Sequence, residues 1–122
     1  MNRQSWRLPA TARSVPEARQ HVSAALHQWG YDGLLETARL LTSELVTNAV
    51  LYGRPPIRLR LRHTRRHAII EVYDGTAVLP RRLRPTPDDE HGRGIQLVAS
   101  LAERWGTRPL PHGKSVWCML AL

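Results

Sequence analysis

The strongest constraint on the fold is that the spacing of apolar residues differs before and after Pro55-Pro56. Before the prolines, apolar residues recur at helical spacing, and Gly53 is suited to the left-handed turn that often ends a helix. The helical stripe consists of Leu34, Ala38, Leu41, Leu45, Ala49 and Tyr52. From Ile57 to Arg62, apolar residues alternate strictly with arginines, which is typical of a strand with one buried face. The sequence therefore predicts a long core helix that leads directly into a half-buried strand.

The rest of the chain adds further strands and helices to this pair. Ser14-x-x-Glu17 is a capping-box pattern that begins a helix, and Asp32 is suited to cap the long helix. Residues 76–91 contain three prolines, and we expect them to form a long loop. The expected elements are a strand over 5–8, a helix over 14–29, the long helix over 32–53, strands over 57–62 and 68–73, a helix over 94–104 and a closing hairpin of 105–108 and 115–120. This order predicts an α+β two-layer sandwich, with helices on one face of a mixed, mostly antiparallel sheet.

Length, cysteine content and charge limit the class of protein. The chain has 122 residues, enough for a single domain with one core, which we assign to residues 1–122. Cys118 is the only cysteine, so no disulfide can form within the chain, and a reducing, cytoplasmic location is expected. We find neither an apolar run long enough to span a membrane nor a signal-peptide pattern. The formal charge of +8 favours an anionic partner, which could be a nucleotide, a nucleic acid or an acidic protein surface.

The arginines of the alternating strand form a basic stripe of Arg58, Arg60 and Arg62. Basic side chains on a sheet can follow the phosphates of a nucleic acid. The stripe lacks interleaved aromatic residues on which bases would stack. We therefore favour a solvated outer face of a sheet whose other face carries the helices, and we disfavour nucleic acid as the partner.

Two polar residues lie on the flank of the long helix. Glu44 and Asn48 are four residues apart, so they stack on one side of the helix at the edge of its core stripe. A carboxylate and an amide at the edge of a buried face need partners, because burial without a partner is costly. A divalent metal with a bound phosphate would be one such partner. The alternative is a cap or surface pair that happens to fall on the flank.

Three further motifs contain residues suited to ligand binding. They are Asp74-Gly75-Thr76, Gly92-Arg93-Gly94 and Gly113-Lys114-Ser115. The first follows a buried strand, where its aspartate can bind a ligand or cap the following turn. The second places backbone N–H groups at a helix start, where anions bind, although two glycines also make a simple turn. The third is not a P-loop, because Arg108 stands where that pattern needs glycine and a strand is expected to follow.

These pieces occur in an order that resembles the Bergerat-type ATP-binding fold of the GHKL superfamily, which includes gyrase, MutL and the histidine kinases. The closest resemblance is to its anti-sigma-factor serine/threonine kinases, a branch of small actinobacterial regulators. The resemblance implies ATP and Mg²⁺ as cofactors. In this family the asparagine of the helix ligates Mg²⁺, a role that falls on Asn48. The glutamate one turn earlier acts as general base or orients the attacking group, a role that falls on Glu44. The strand-end aspartate, here Asp74, accepts a hydrogen bond from the exocyclic amine of adenine.

The resemblance also assigns roles in the loop and the closing hairpin. The residues that would border the phosphates are Gly92, Arg93 and Gly94. Residues 76–93 would form the nucleotide lid, and Ser115 would be a polar neighbour of the adenine and of Asp74. The chain departs from the commoner family pattern, which has glycine two residues after the aspartate. Thr76 stands there instead, as small hydroxyl residues do in the small-kinase branch, and we include it among the cofactor-binding residues.

The resemblance implies a serine/threonine protein kinase that phosphorylates an antagonist protein of the STAS-type anti-anti-sigma class and also binds a sigma factor. A second hypothesis is a nucleotide-responsive regulator that holds a partner with little catalysis. A third is a small basic nucleic-acid-binding protein. Members of the resembled family often form homodimers, but the sequence shows no exposed apolar stripe that we could assign to such an interface.

Overall fold

The computed structural model of the chain describes residues 2–76, 98 and 100–122. Within them, five strands and two α-helices closely follow the predicted elements. Strand β1 spans Arg3–Leu8, helix α1 Ser14–Gln28, helix α2 Leu35–Tyr52, strand β2 Ile57–His63, strand β3 His67–Asp74, strand β4 Arg104–Leu110 and strand β5 Gly113–Ala121. A short 3-10 helix, Asp32–Leu34, precedes α2. Of the helix predicted over 94–104, Val98, Ser100 and Leu101 are helical, whereas residues 94–97 and 99 lie outside the described part.

The described strands form one sheet in the order β1-β2-β3-β5-β4. Each pair of neighbouring strands is antiparallel, so the expected mixed pairing is not found among them. Helices α1 and α2 pack on each other, and α2 also contacts β2, β3 and β5. The two-layer α+β architecture predicted from the sequence is confirmed.

The alternation in β2 determines which face of the sheet meets the helices. Ile57, Leu59 and Leu61 are buried in the core, whereas the arginines between them lie on the other side. Antiparallel registry extends these two faces across the sheet, because Leu59 pairs with Val72 and Val72 in turn with Val116. The helix-covered face therefore contains the apolar core, and the opposite face, which we call the outer face, contains the arginine stripe.

Three predictions about the helix ends are wrong. Ser14 does not cap α1, because its hydroxyl donates to the Pro9 carbonyl and no side chain caps the helix. Asp32 does not cap α2, because it lies in the 3-10 helix, where its carboxylate contacts His27 Nδ1 at 2.7 Å. Gly53 does follow α2, but its backbone is extended, with φ −88° and ψ −170°, rather than left-handed. Gly53 is needed because the end of α2 closely approaches Asp74 at the end of β3.

Candidate functional site

The candidate site lies where the end of β3 meets the start of β5 on the helix-covered face. Asp74 is the last residue of β3, and it lies opposite Lys114 in the antiparallel register. Lys114 Nζ lies 2.9 Å from Asp74 Oδ2, and the two side chains are only 8% and 2% exposed. Alternation along each strand places this pair on the same face as Val72 and Val116. The sheet therefore ends in a buried ion pair under the helices.

The Asp74 carboxylate has a further donor close by. Its Oδ1 accepts a hydrogen bond of 2.8 Å from the Thr76 backbone N–H and lies 3.3 Å from Lys114 Nζ. Thr76 is itself buried. A carboxylate has about four lone-pair sites for donors. The contacts with Lys114 and Thr76 fix the carboxylate while leaving capacity for one more donor.

Gly53 brings the end of α2 against this carboxylate. A Cβ atom added to Gly53 would lie 2.6 Å from Asp74 Cγ and 2.6 Å from the Ala49 carbonyl oxygen. Contacts this short are not tolerated, so any side chain at this position would push the helix end away from the strand end. Gly113, at φ +158°, approaches the Asp74 backbone from the other side. The absence of side chains at these two glycines keeps α2, β3 and β5 in contact at Asp74.

Asn48 lies on α2 five residues before Gly53 and is buried. Its Oδ1 and Nδ2 are both shielded from water, and neither has a hydrogen-bond partner among the described residues. Among the described residues, no other side chain has two such atoms. A buried amide without partners costs about 1–3 kcal/mol, and a ligand bound next to the helix end would supply them.

Glu44 stands one helical turn before Asn48 and is half-buried. Residues four apart on a helix share one side, so its carboxylate projects from the same side of α2 as the Asn48 amide. Mg²⁺ takes oxygen ligands, usually one or two from the protein together with phosphate oxygens and water. An amide oxygen that lacks a partner among the described residues, one helical turn from a carboxylate, is a donor set that fits Mg²⁺ bound to a nucleotide.

The structure brings together some of the predicted site residues and separates others. Asp74 and Thr76 are in direct contact, and Asn48 lies on α2 five residues before Gly53, which packs against Asp74. Ser115 does not border Asp74, because it points to the outer face and its hydroxyl donates to Glu71. The remaining predicted residues, Gly92, Arg93 and Gly94, and all of the proposed lid 76–93 except Thr76 lie outside the described residues.

Lys114 is the residue that sequence reasoning missed. The predicted strand began at Ser115, whereas β5 begins at Gly113. Asp74 and Lys114 become opposite neighbours only once the register of β3 against β5 is known. The alternation of side chains along the strand was one signal that could have identified it. Val116 is a core residue, so Lys114, two residues earlier, must share its face.

The fold is that of an ATP-binding domain of the GHKL type. Residues 8–119 match the histidine kinase-like ATPase domain family. The chain belongs to that family. None of the curated proteins matches the chain.

A solved structure gives an independent comparison of the fold. The histidine kinase domain of the blue-light activated histidine kinase from Erythrobacter litoralis EL346 superposes with a TM-score of 0.58 and is 19% identical. The match covers 93% of this chain and 64% of that domain. At this identity the likeness concerns the fold. The present chain spans about two thirds of the length of that domain.

Family membership supports the interpretation of the chain as part of an ATP-binding regulatory protein, and the family includes kinases. GHKL domains bind ATP, usually with Mg²⁺, and the donor set of Asn48 and Glu44 suits that pair. Within the described residues, no helix is both long and apolar enough to cross a membrane.

Proposed function

We propose that this protein is a Mg-ATP-dependent serine/threonine protein kinase of the anti-sigma-factor type. It would phosphorylate a STAS-type antagonist protein and bind a sigma factor in the cytoplasm, as a monomer or a homodimer. The observation that carries the proposal is the buried Asn48 amide, which has no partner among the described residues. It lies one helical turn after Glu44, on the helix whose end at Gly53 packs against Asp74. A purely structural helix would have no need for this combination.

Each residue of the site would have a distinct task. Asn48 would offer its amide oxygen to Mg²⁺, which when bound neutralises negative charge on the phosphates. Glu44 would accept the proton of the attacking serine or threonine hydroxyl, or orient that hydroxyl. Phosphoryl transfer depends mainly on positioning and on charge neutralisation, so a small set of groups is sufficient.

Asp74 would recognise the adenine. Its carboxylate can accept one more hydrogen bond beside Lys114 and Thr76, and the exocyclic amine of adenine is a donor. Lys114 would act as a positioning residue, because its ammonium group holds the carboxylate in place at 2.9 Å. If Gly92, Arg93 and Gly94 open a helix as predicted, they would supply backbone N–H groups to the phosphates.

The proposal is tested by following phosphate transfer from radiolabelled Mg-ATP to a purified STAS-domain protein that has a phosphorylatable serine. We expect Glu44→Gln to reduce transfer by about 100-fold or more while ATP still binds. The matched control is Glu36→Gln, a glutamate in the first turn of the same helix, which should leave transfer unchanged.

Two results would reject the kinase proposal. One is transfer that is equally fast in wild type and Glu44→Gln. The other is clear Mg-ATP binding, measured by calorimetry, without transfer to any serine of the STAS protein. In the second case the protein would be a nucleotide-responsive regulator that holds its partner without modifying it.

A further inference from the structure

A cleft of about 760 Å³ opens on the outer face of the sheet, between strands β1 and β2 and the turn that joins β4 to β5. It lies on the side away from α1 and α2, and only one end of it reaches Asp74 and Gly75. Its volume falls within the range of ligand-binding clefts. Four arginines line it, namely Arg3, Arg7, Arg58 and Arg60.

The arginines lie opposite one another in an unfavourable arrangement. In the β1–β2 register, Arg7 is directly opposite Arg58, and Arg3 is opposite Arg62. Like charges that lie directly opposite on neighbouring strands destabilise a sheet. Arg3, Arg7 and Arg58 are exposed, so water reduces this cost without removing it. A chain selected for stability alone would alternate the signs of charge at these positions.

No acidic residue of the described part neutralises these arginines. None of the ion pairs found there includes an arginine of the cleft. Glu71 lies opposite Arg60 in the β2–β3 register, but its carboxylate accepts hydrogen bonds from Tyr73 at 2.7 Å and from Ser115. A third contact, at 3.4 Å, comes from Arg108. The one carboxylate that the register offers to the stripe is therefore already engaged.

We propose that this cleft binds an acidic, extended segment of a partner protein. Alternate residues of a strand are about 7 Å apart, so the arginines of β2 match carboxylates at alternate positions of an extended chain. Pro56, Leu110 and Pro111 add apolar contacts along the cleft. This surface meets the proposed nucleotide site only at its end near Asp74, its arginines lie on the opposite face of the sheet, and the inference does not depend on the kinase proposal.

The lining of the cleft favours a peptide over a nucleic acid. Single strands bind on aromatic platforms as well as on cations. Tyr73 is the one tyrosine or tryptophan among the lining residues, and its hydroxyl is held by Glu71 and lies 3.4 Å from Arg60. The only other aromatic ring in the lining is the imidazole of His112, and one anchored tyrosine with one histidine is poorly suited to stack a series of bases.

The test is fluorescence anisotropy with a short labelled peptide in which glutamate and alanine alternate, titrated with the full chain at low salt. The decisive variant is Arg58→Glu, which removes one charge and also pairs with Arg7 across the strands. We expect it to weaken binding by about tenfold or more. The control is Arg65→Glu in the exposed β2–β3 turn, which changes the net charge equally and should weaken binding by less than about threefold.

Two results would overturn the inference. Equal weakening by Arg58→Glu and Arg65→Glu would reveal only general attraction to a basic protein. Tighter binding of a single-stranded oligothymidine of equal charge, with the same dependence on Arg58, would make the cleft a nucleic-acid site. Arg58→Gln repeats the test if the charge reversal disturbs folding. The stabilisation of Arg58→Glu by Mg-ATP, measured in parallel, should equal that of the wild type, which separates this inference from the nucleotide site.

Discussion

On the helix-covered face of the sheet, Asp74 and Lys114 lie 2.9 Å apart and are almost completely shielded from water. On the outer face, Arg7 and Arg58 lie opposite each other, exposed and without an ion pair in the described part of the chain. Both pairs are charged neighbours on antiparallel strands of one sheet. The buried face tolerates charge only as a neutral pair, because an unpaired ion there would be too costly. The exposed face tolerates like charges, because water screens them.

The comparison shows where each face can meet a ligand. In the proposed nucleotide site, the base would add one hydrogen bond to the Asp74 carboxylate, which Lys114 and Thr76 already hold, so this contact would require no further charge from the ligand. On the outer face, a ligand would supply the missing negative charge, so binding there should be strongly dependent on salt. The following predictions test this contrast, from the largest expected effect to the smallest.

Breaking the buried pair should have the largest effect on stability. Lys114→Met leaves the Asp74 carboxylate buried without its cation, and we expect a loss of about 3–5 kcal/mol in the free energy of unfolding. Urea denaturation followed by circular dichroism measures this loss. The double variant Asp74→Asn/Lys114→Met should be more stable than Lys114→Met alone. A single variant within about 0.5 kcal/mol of wild type would show that the pair is not buried as described.

The buried thiol should make stability fall at high pH. Burial of Cys118 under the helices raises the pKa of its thiol from 9.0 to about 12. Between these values the unfolded chain loses the thiol proton while the folded chain keeps it, so the unfolded state binds fewer protons and stability falls as pH rises. The contribution is complete below pH 9 and decreases by about 1.4 kcal/mol per pH unit above it.

Cys118→Ala isolates this contribution from other groups that titrate at high pH. Urea unfolding at pH 8 and pH 10.5 should show a larger loss for wild type than for Cys118→Ala, by about 2 kcal/mol. Equal losses would mean that the thiol reaches solvent in the folded state. Slow alkylation of the native protein would support burial independently.

Relieving the like charges on the outer face should have the smallest effect. We expect Arg58→Gln to raise the free energy of unfolding by about 0.5 kcal/mol at low salt, and this gain should disappear at about 1 M salt. Arg65→Gln, in the exposed turn, is the control and should change stability less. A clear loss of stability in Arg58→Gln would mean that the arginine is held by contacts of its own.

The fold could be predicted because the spacing of apolar residues along the chain identifies the buried face of each helix and strand. The alternation from Ile57 to Arg62 and the helical stripe ending near Gly53 are local patterns, and their elements lie within a few residues of the predicted bounds. The helix caps could not be predicted as well. Instead of capping a helix, Ser14 hydrogen-bonds to Pro9 and Asp32 contacts His27. Such side chains can hydrogen-bond to several nearby groups, and the sequence does not show which group is in reach.

Only part of the site could be predicted, because the rest depends on how strand β3 aligns with strand β5. Glu44 and Asn48 share one helix, so their spacing alone places them together. The contact of Asp74 with Lys114, rather than with Ser115 as predicted, is determined by how β3 and β5 align, and a shift of one residue exchanges the two faces. The role of Gly53 likewise depends on a tertiary contact. The glycine leaves space for the Asp74 side chain and does not form the left-handed turn that was predicted.

The most direct test of the nucleotide site is thermal unfolding of wild type and Asn48→Ala, with and without Mg-ATP. Ligand that binds only the folded state stabilises it by about 2.7 kcal/mol at 100 times Kd. We predict a clear rise in the Tm of wild type that requires Mg²⁺. Asn48→Ala should lose this rise while being no less stable than wild type without ligand, because the substitution removes a buried amide that has no partner among the described residues. No rise at millimolar Mg-ATP, or an equal rise in Asn48→Ala, would contradict the account.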